Sequence, residues 1–194
     1  MQKKGQNERI ILGIDPGTAI MGYGIILERG RELSLISMGV IKLNHLDDHG
    51  LKLQRIFQKT TALIKEYKPD CMALEAPFYG KNIQIMLKLG RAQGVAMAAA
   101  LDRNLPIFEY APRRIKQSVT GHGNASKEQV AAMLHTLLKF EEKPEFLDAT
   151  DGLAVAVCHA FQGGTAGGSV KGKSFSSWSA FVKDQDKSGR VSGL

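Results

Sequence analysis

RIILGIDPGTAIMGYGIILERGRELSLISMGVIKL, residues 9–43, is the stretch that decides the fold class. Arg9 to Ile14 is a short apolar run closed by Asp15-Pro16-Gly17, and this length with this turn signal predicts a buried strand. Two more strands are expected from Met21 to Glu28 and from Leu33 to Leu43, with the polar Arg29-Gly30-Arg31 as the hairpin between them. Connections this tight make the three an antiparallel meander.

Working outward, the apolar period changes past residue 50. Leu53, Ile56, Phe57, Thr60 and Ile64 recur at three-and-four spacing, while Lys52, Lys59, Lys65 and Glu66 face away, predicting an amphipathic helix over 51–66 that Pro69 ends. A short strand is expected at 71–74, a helix at 82–103 and a fifth strand at 106–110. Gly90 and Gly94 stand one turn apart on that helix and permit a close backbone approach, either to the sheet or to a second subunit. Ser126-x-x-Gln129 is a capping box opening a helix with Val130, Met133, Leu134, Leu137 and Leu138 as its apolar stripe. A last helix from about Asp148 buries Leu153, Ala154, Val157 and Phe161. The order βββαβαβαα predicts an α/β fold, with a five-stranded mixed sheet flanked by helices on both faces.

The chain has 194 residues, 43% of them hydrophobic and 23% charged, which fits one ordinary globular domain and excludes collagen-like, disulfide-stapled or wholly disordered classes. Its longest strictly apolar run, Val95 to Leu101, is far below the roughly 20 residues that span a bilayer. Asp15 interrupts the apolar stretch behind the N-terminal lysines, so no signal peptide is expected and the location is read as cytoplasmic. Cys71 and Cys158 lack C-x-x-C spacing and are expected to be buried, reduced thiols.

A net charge of +7 favours an anionic partner such as nucleic acid. Residues 162–194 carry five basic and two acidic side chains and a third of the chain's 21 glycines. That composition predicts a flexible basic Gly/Ser-rich tail behind a domain at 9–161, with residues 1–8 as an N-terminal extension.

Four carboxylates stand at the ends of apolar elements. Asp15 ends the first strand and Glu75 the fourth, and they meet if those strands are neighbours. Asp148 and Asp151, three apart at the start of the last helix, share a face. Singly, each has a plainer role: a β-turn, a loop residue, an N-cap and a first-turn acid. Together they would repel one another unless a cation sat among them, and hard divalent ions with oxygen ligands are the natural answer. A basic chain with such a pocket has the make-up of a two-metal phosphodiesterase. The loop Gly121-His122-Gly123-Asn124-Ala125, running into a capped helix that bears Lys127, is a candidate phosphate seat. Arg113, Arg114 and Lys116 form one basic cluster; Lys81, Lys88 and Arg91 form another beside Phe78-Tyr79, where an aromatic can stack on an exposed base.

ILGIDPGTAIMGYGII (11–26), ALEAPFYGKNIQIMLKLGRAQGVAMAA (73–99), FEYAPRRIKQSVTGHGNASKEQVAAML (108–134) and DATDGLAVAVCHA (148–160) resemble, in the same order, the RuvC family of bacterial Holliday junction resolvases. The resemblance implies a ribonuclease H-like fold and a homodimer that uses Mg²⁺, two ions per site with Mn²⁺ as a substitute, to nick opposing strands of four-way junction DNA during recombination and repair. It implies that Asp15, Glu75, Asp148 and Asp151 are the catalytic and metal-binding acids, Asp148 standing where the family has Asp or His. It further implies DNA-binding roles for Phe78, Lys116 and Lys127, beside the Lys81 that the basic stretch after the aromatics already offers to the backbone, and the RuvA and RuvB branch-migration proteins as partners. The four matching stretches do not reach residues 1–8 or the tail, and the resemblance assigns neither a role.

Other readings of the same residues are a non-catalytic junction-binding module, an RNA-processing nuclease of related fold, and an ATPase, since GIDPGT resembles a phosphate loop of the actin and sugar-kinase superfamily. The ATPase reading needs a second lobe for which the chain has no room. A purely binding module would be poorly served by four uncompensated carboxylates.

Overall fold

In a computed structural model that describes residues 8–77, 82–140 and 147–163, the meander is β1 (Glu8–Asp15), β2 (Ile20–Arg29) and β3 (Glu32–Lys42). α1 (His49–Tyr67), β4 (Cys71–Glu75), α2 (Ile83–Leu101) and β5 (Ile107–Tyr110) follow, then α3 (Pro112–Thr120), α4 (Lys127–Leu138) and α5 (Leu147–Gly163). The strands lie in the order β3-β2-β1-β4-β5. β1 pairs antiparallel with β2 and parallel with β4, and β4 pairs parallel with β5, so the sheet is mixed as expected. The expected tail and the residues before Glu8 lie outside the described residues, apart from the end of α5 at Gly163.

β1 is central and buried on both faces, which is why its sequence reads as a continuous apolar run. Ile11 points into one core layer with α3, α4 and α5, while Leu12 and Ile14 point into the other with α1 and α2. Asp48 caps α1 by accepting from the Leu51 N–H at 2.8 Å, and Lys68 ends it in the left-handed region. The buried stripe of α1 is Ile56, Thr60, Leu63 and Ile64; Phe57, expected inside, is exposed. Both cysteines are buried and unbridged.

α3 was not expected. Pro112 is at its first turn and Gly121 closes it in the left-handed region, but only Ile115 and Val119 are buried, so the segment reads in sequence as a basic loop. α4 starts at the expected capping box, with both reciprocal Ser126–Gln129 bonds formed.

Candidate metal centre and the family it defines

α5 lies unusually close to the sheet, and that closeness builds the site. A Cβ on Gly22 would sit 1.8 Å from the Asp148 carbonyl oxygen, and one on Gly152 would sit 2.6 Å from the Tyr23 Cα. Gly13 and Gly24 face α5 backbone in the same way. Any side chain at these positions would push the helix outward. Without them, one oxygen each from Asp15, Asp148 and Asp151 could not all lie within 4.8 Å of one another, as they do. The sequence reading missed these glycines; their signal was the G-x-G at Gly22 and Gly24 inside a strand, opposite Asp15 and Gly13.

Glu75 joins from the other side. β4 is the parallel neighbour of β1, so the two acids end adjacent strands, and both open onto one cavity of about 130 Å³ with Leu89 and Gln93. Glu75 is not one of the three acids within 4.8 Å of each other, so the site is a triad with a flanking fourth acid. Lys127 Nζ bonds the Asp151 carboxylate and lies 3.6 Å from Asp148 Oδ1. Its side chain therefore reaches the acids rather than the loop that precedes its helix. The Gly121 N–H bonds the Gln117 carbonyl, the His122 N–H bonds Thr120 Oγ1 and the Ala125 N–H bonds the His122 carbonyl, which leaves that loop a poorer phosphate seat than its sequence implies.

Electrostatics explain what the cluster lacks. Burial, reinforced by Glu75, Asp151 and Asp148, pushes the Asp15 carboxyl up to about 8 against the pull of Lys127. Burial and then Asp151 push Glu75 up to about 7, while Lys127 and Lys116 pull it down. Burial alone would lower the Lys127 ammonium, but its bond to Asp151 and the surrounding acids raise it overall. Lys127, with Lys116 near Glu75, does not balance the converging acids, since Asp15 and Glu75 both stay raised. An all-oxygen donor set of this kind suits a hard divalent cation, which would stabilise every carboxylate in its ionised form. Lys116 is half-buried on α3 and close enough to Glu75 to lower it. Phe78 and Lys81 lie outside the described residues.

A mixed β3-β2-β1-β4-β5 sheet flanked by helices, with acids from the end of β1 and the start of α5 converging beside Glu75 at the end of β4, is a ribonuclease H-like fold with an acidic cluster that could hold a metal ion. A family model described as Crossover junction endodeoxyribonuclease RuvC matches residues 11–159. A protein of that name from Cytophaga hutchinsonii is 61% identical over 177 residues, covering 91% of this chain and 86% of the relative. One from Christiangramia forsetii is 56% identical over 182 residues, covering 94% and 93%. The solved structure of T. thermophilus RuvC in complex with Holliday junction substrate superposes with a TM-score of 0.75 at 30% identity, covering 80% of this chain and 94% of that one. The chain belongs to the RuvC family of crossover junction endodeoxyribonucleases.

Proposed function

We propose that the chain is a metal-dependent endodeoxyribonuclease that resolves Holliday junctions by paired symmetric nicks in homologous recombination and repair. The observation that carries the reading is the Asp15, Asp148 and Asp151 triad, closed to 4.8 Å in a chain 61% identical to a crossover junction endodeoxyribonuclease. In this reading Asp15, Glu75, Asp148 and Asp151 hold two Mg²⁺ ions, with Mn²⁺ as a substitute. Ions held by these four acids would supply activation of an attacking water and charge stabilisation at the leaving oxygen.

The chain's own residues do the rest. The carboxylates orient and must all be ionised, which their burial opposes and a cation favours. Lys127 stands at the edge of the triad, where its ammonium meets the phosphate whose bond breaks, and Lys116 supports it from α3. The new bond joins the water oxygen to phosphorus, the phosphorus–O3′ bond breaks, and the products are a 5′-phosphate and a 3′-hydroxyl. Phe78 and Lys81 take the stacking and backbone-holding roles at the opened junction.

A homodimer fits this reading, because two sites related by a two-fold axis match the symmetry of a four-way junction. α2 is the proposed contact: among the described residues nothing lies within 4 Å of a Cβ built on Gly90 or Gly94, and Ile83 is 70% exposed, with Ile85 and Leu87 exposed beside it. The alternative placement of these glycines against the sheet is thereby disfavoured. The net charge of +7 supports DNA as the partner. No helix of the described residues is long and apolar enough to cross a membrane. Cytoplasmic location, the RuvA and RuvB partnership, and a nuclease domain at 9–161 with a basic tail at 162–194 complete the proposal.

The test is cleavage of a synthetic four-way junction beside a linear duplex of the same sequence, with Mg²⁺ or EDTA. Paired nicks on the junction only, and only with Mg²⁺, are expected. Equal cutting of the duplex would make the chain a general nuclease, and tight binding without cleavage would make it a junction-binding module.

A further inference from the structure

Gln93 is a polar side chain on an otherwise small, apolar face of α2, among Ala92, Ala96, Ala99 and Ala100, and it is only 5% exposed. A buried amide needs partners to offset its lost hydration. Its Nε2 donates to Glu109 Oε1 at 2.6 Å and lies 3.5 Å from the Glu75 carbonyl oxygen, a long second contact. Both neighbours are acceptors, so the nitrogen of the amide faces them, and a glutamate here would have no proton to give. Glu109 belongs to β5 and Glu75 ends β4, so a single side chain from α2 spans two adjacent strand ends. At that position β4 is held from one side only: its register with β1 ends at Ile14 and Leu74, one residue short of Glu75, whereas β5 pairs through Glu75 and Tyr110 and the Ala76 N–H donates to the Tyr110 carbonyl at 2.9 Å. Gln93 also lines the cavity onto which Asp15 and Glu75 open.

We infer that Gln93 is a positioning residue for the cleavage reaction, fixing the main chain of Glu75 through its bridge to Glu109 and so tying the aim of that carboxylate to α2. The inference rests on Glu75 belonging to the catalytic site. Misplacing a group by about 1 Å can cost on the order of a hundredfold in rate, so a main-chain anchor one bond removed from the reacting groups is worth having.

The experiment uses the full chain, single-turnover cleavage of a four-way junction and a Mg²⁺ titration, at a temperature where circular dichroism shows every variant folded. Gln93→Met keeps the volume and removes the donor. It is expected to slow cleavage about tenfold and raise half-saturating Mg²⁺, while junction binding in EDTA stays within about twofold. Gln93→Glu should be slower still, because it sets a carboxylate against Glu109. In a Glu109→Ala background Gln93→Met should add little, since the bridge is already cut. Glu75→Gln is the control. Parental rate and Mg²⁺ dependence in Gln93→Met, with Glu75→Gln inactive, would overturn the role of Gln93 alone, as would a slower rate with unchanged Mg²⁺ dependence. An active Glu75→Gln would overturn the site assignment beneath it.

Discussion

α5 and α2 flank opposite faces of the same sheet, and both carry glycines, yet the glycines face opposite circumstances. Under α5 a Cβ at Gly22 or Gly152 would collide with backbone, whereas on α2 a Cβ at Gly90 or Gly94 would meet nothing among the described residues. One set is consumed by the fold, to bring Asp148 and Asp151 down to Asp15. The other has no neighbour among the described residues, and is the surface proposed above for a second subunit. Residue type alone does not distinguish them; what lies across from each one does.

The same substitution should therefore have opposite signs beneath α5, on the facing strand β2, and on α2. The largest effect is expected for Gly22→Ala, whose new methyl meets the Asp148 carbonyl and must lift the start of α5. Overpacking of this kind costs about 1–3 kcal/mol. Melting temperature should fall, and junction cleavage should drop by about a hundredfold, because the triad opens. A parental cleavage rate would show that close approach is not what assembles the site.

Gly90→Ala tests the other side. With no neighbour to strike, it should stabilise the isolated chain by about 1 kcal/mol through helix propensity. A bulkier Gly94→Leu should leave the fold intact and break the dimer, as read by sedimentation. An intact dimer would place the interface elsewhere.

The two ends of α5 should also titrate in opposite directions. Near its start, in metal-free protein, Asp15 keeps its proton up to about pH 8 and Glu75 up to about 7, against ordinary values of 3.8 and 4.5. The folded state then binds more protons than the unfolded one across that window. Stability is present at low pH and is lost as pH rises through the folded values. Melting in EDTA should decline from about pH 5 to 8, Asp15→Asn should flatten the decline, and Mg²⁺ should restore most at the alkaline end.

Near the far end, His159 is 4% exposed, its Nδ1 lies 2.8 Å from the Tyr110 hydroxyl, and Phe108 lies against its ring. Burial, with Arg9 nearby, holds its imidazole down at about 4 from an ordinary 6.5. Here the unfolded chain binds the extra proton, so the contribution of neutral His159 is complete above pH 6.5 and is lost as pH falls toward 4. His159→Gln should blunt this acid sensitivity, a smaller effect than that at Asp15. If acid melting is unchanged in His159→Gln, the buried imidazole is not the group responsible.

The comparison also explains what the sequence made legible. Asp15 and Glu75 were readable because an acid at the end of an apolar run has few places to go, and Asp148 with Asp151 because three residues make nearly one helical turn. The succession of strands and helices along the chain, the β1–β3 meander and the capping box of α4 followed from local patterns, whereas the pairing of β1 with β4 did not. α3 was hidden because it buries only Ile115 and Val119, too few for a visible period. Gly22, Gly24 and Gly152 were hidden because a glycine in a strand or helix looks like weakness until the backbone opposite it is known. Lys127 was placed near the acids only by the family resemblance; its ion pairs depend on how α4 meets α5. Gln93 looked like one more helix residue, since its partners lie on two strands that sequence spacing cannot bring together.

The most direct test of the account is to follow binding and cleavage of a four-way junction in one reaction, comparing the parent chain with Asp15→Asn in Mg²⁺. The account predicts that Asp15→Asn binds the junction at least as tightly as the parent, having lost a buried negative charge, and makes no paired nicks. Cleavage by Asp15→Asn at the parental rate would contradict it.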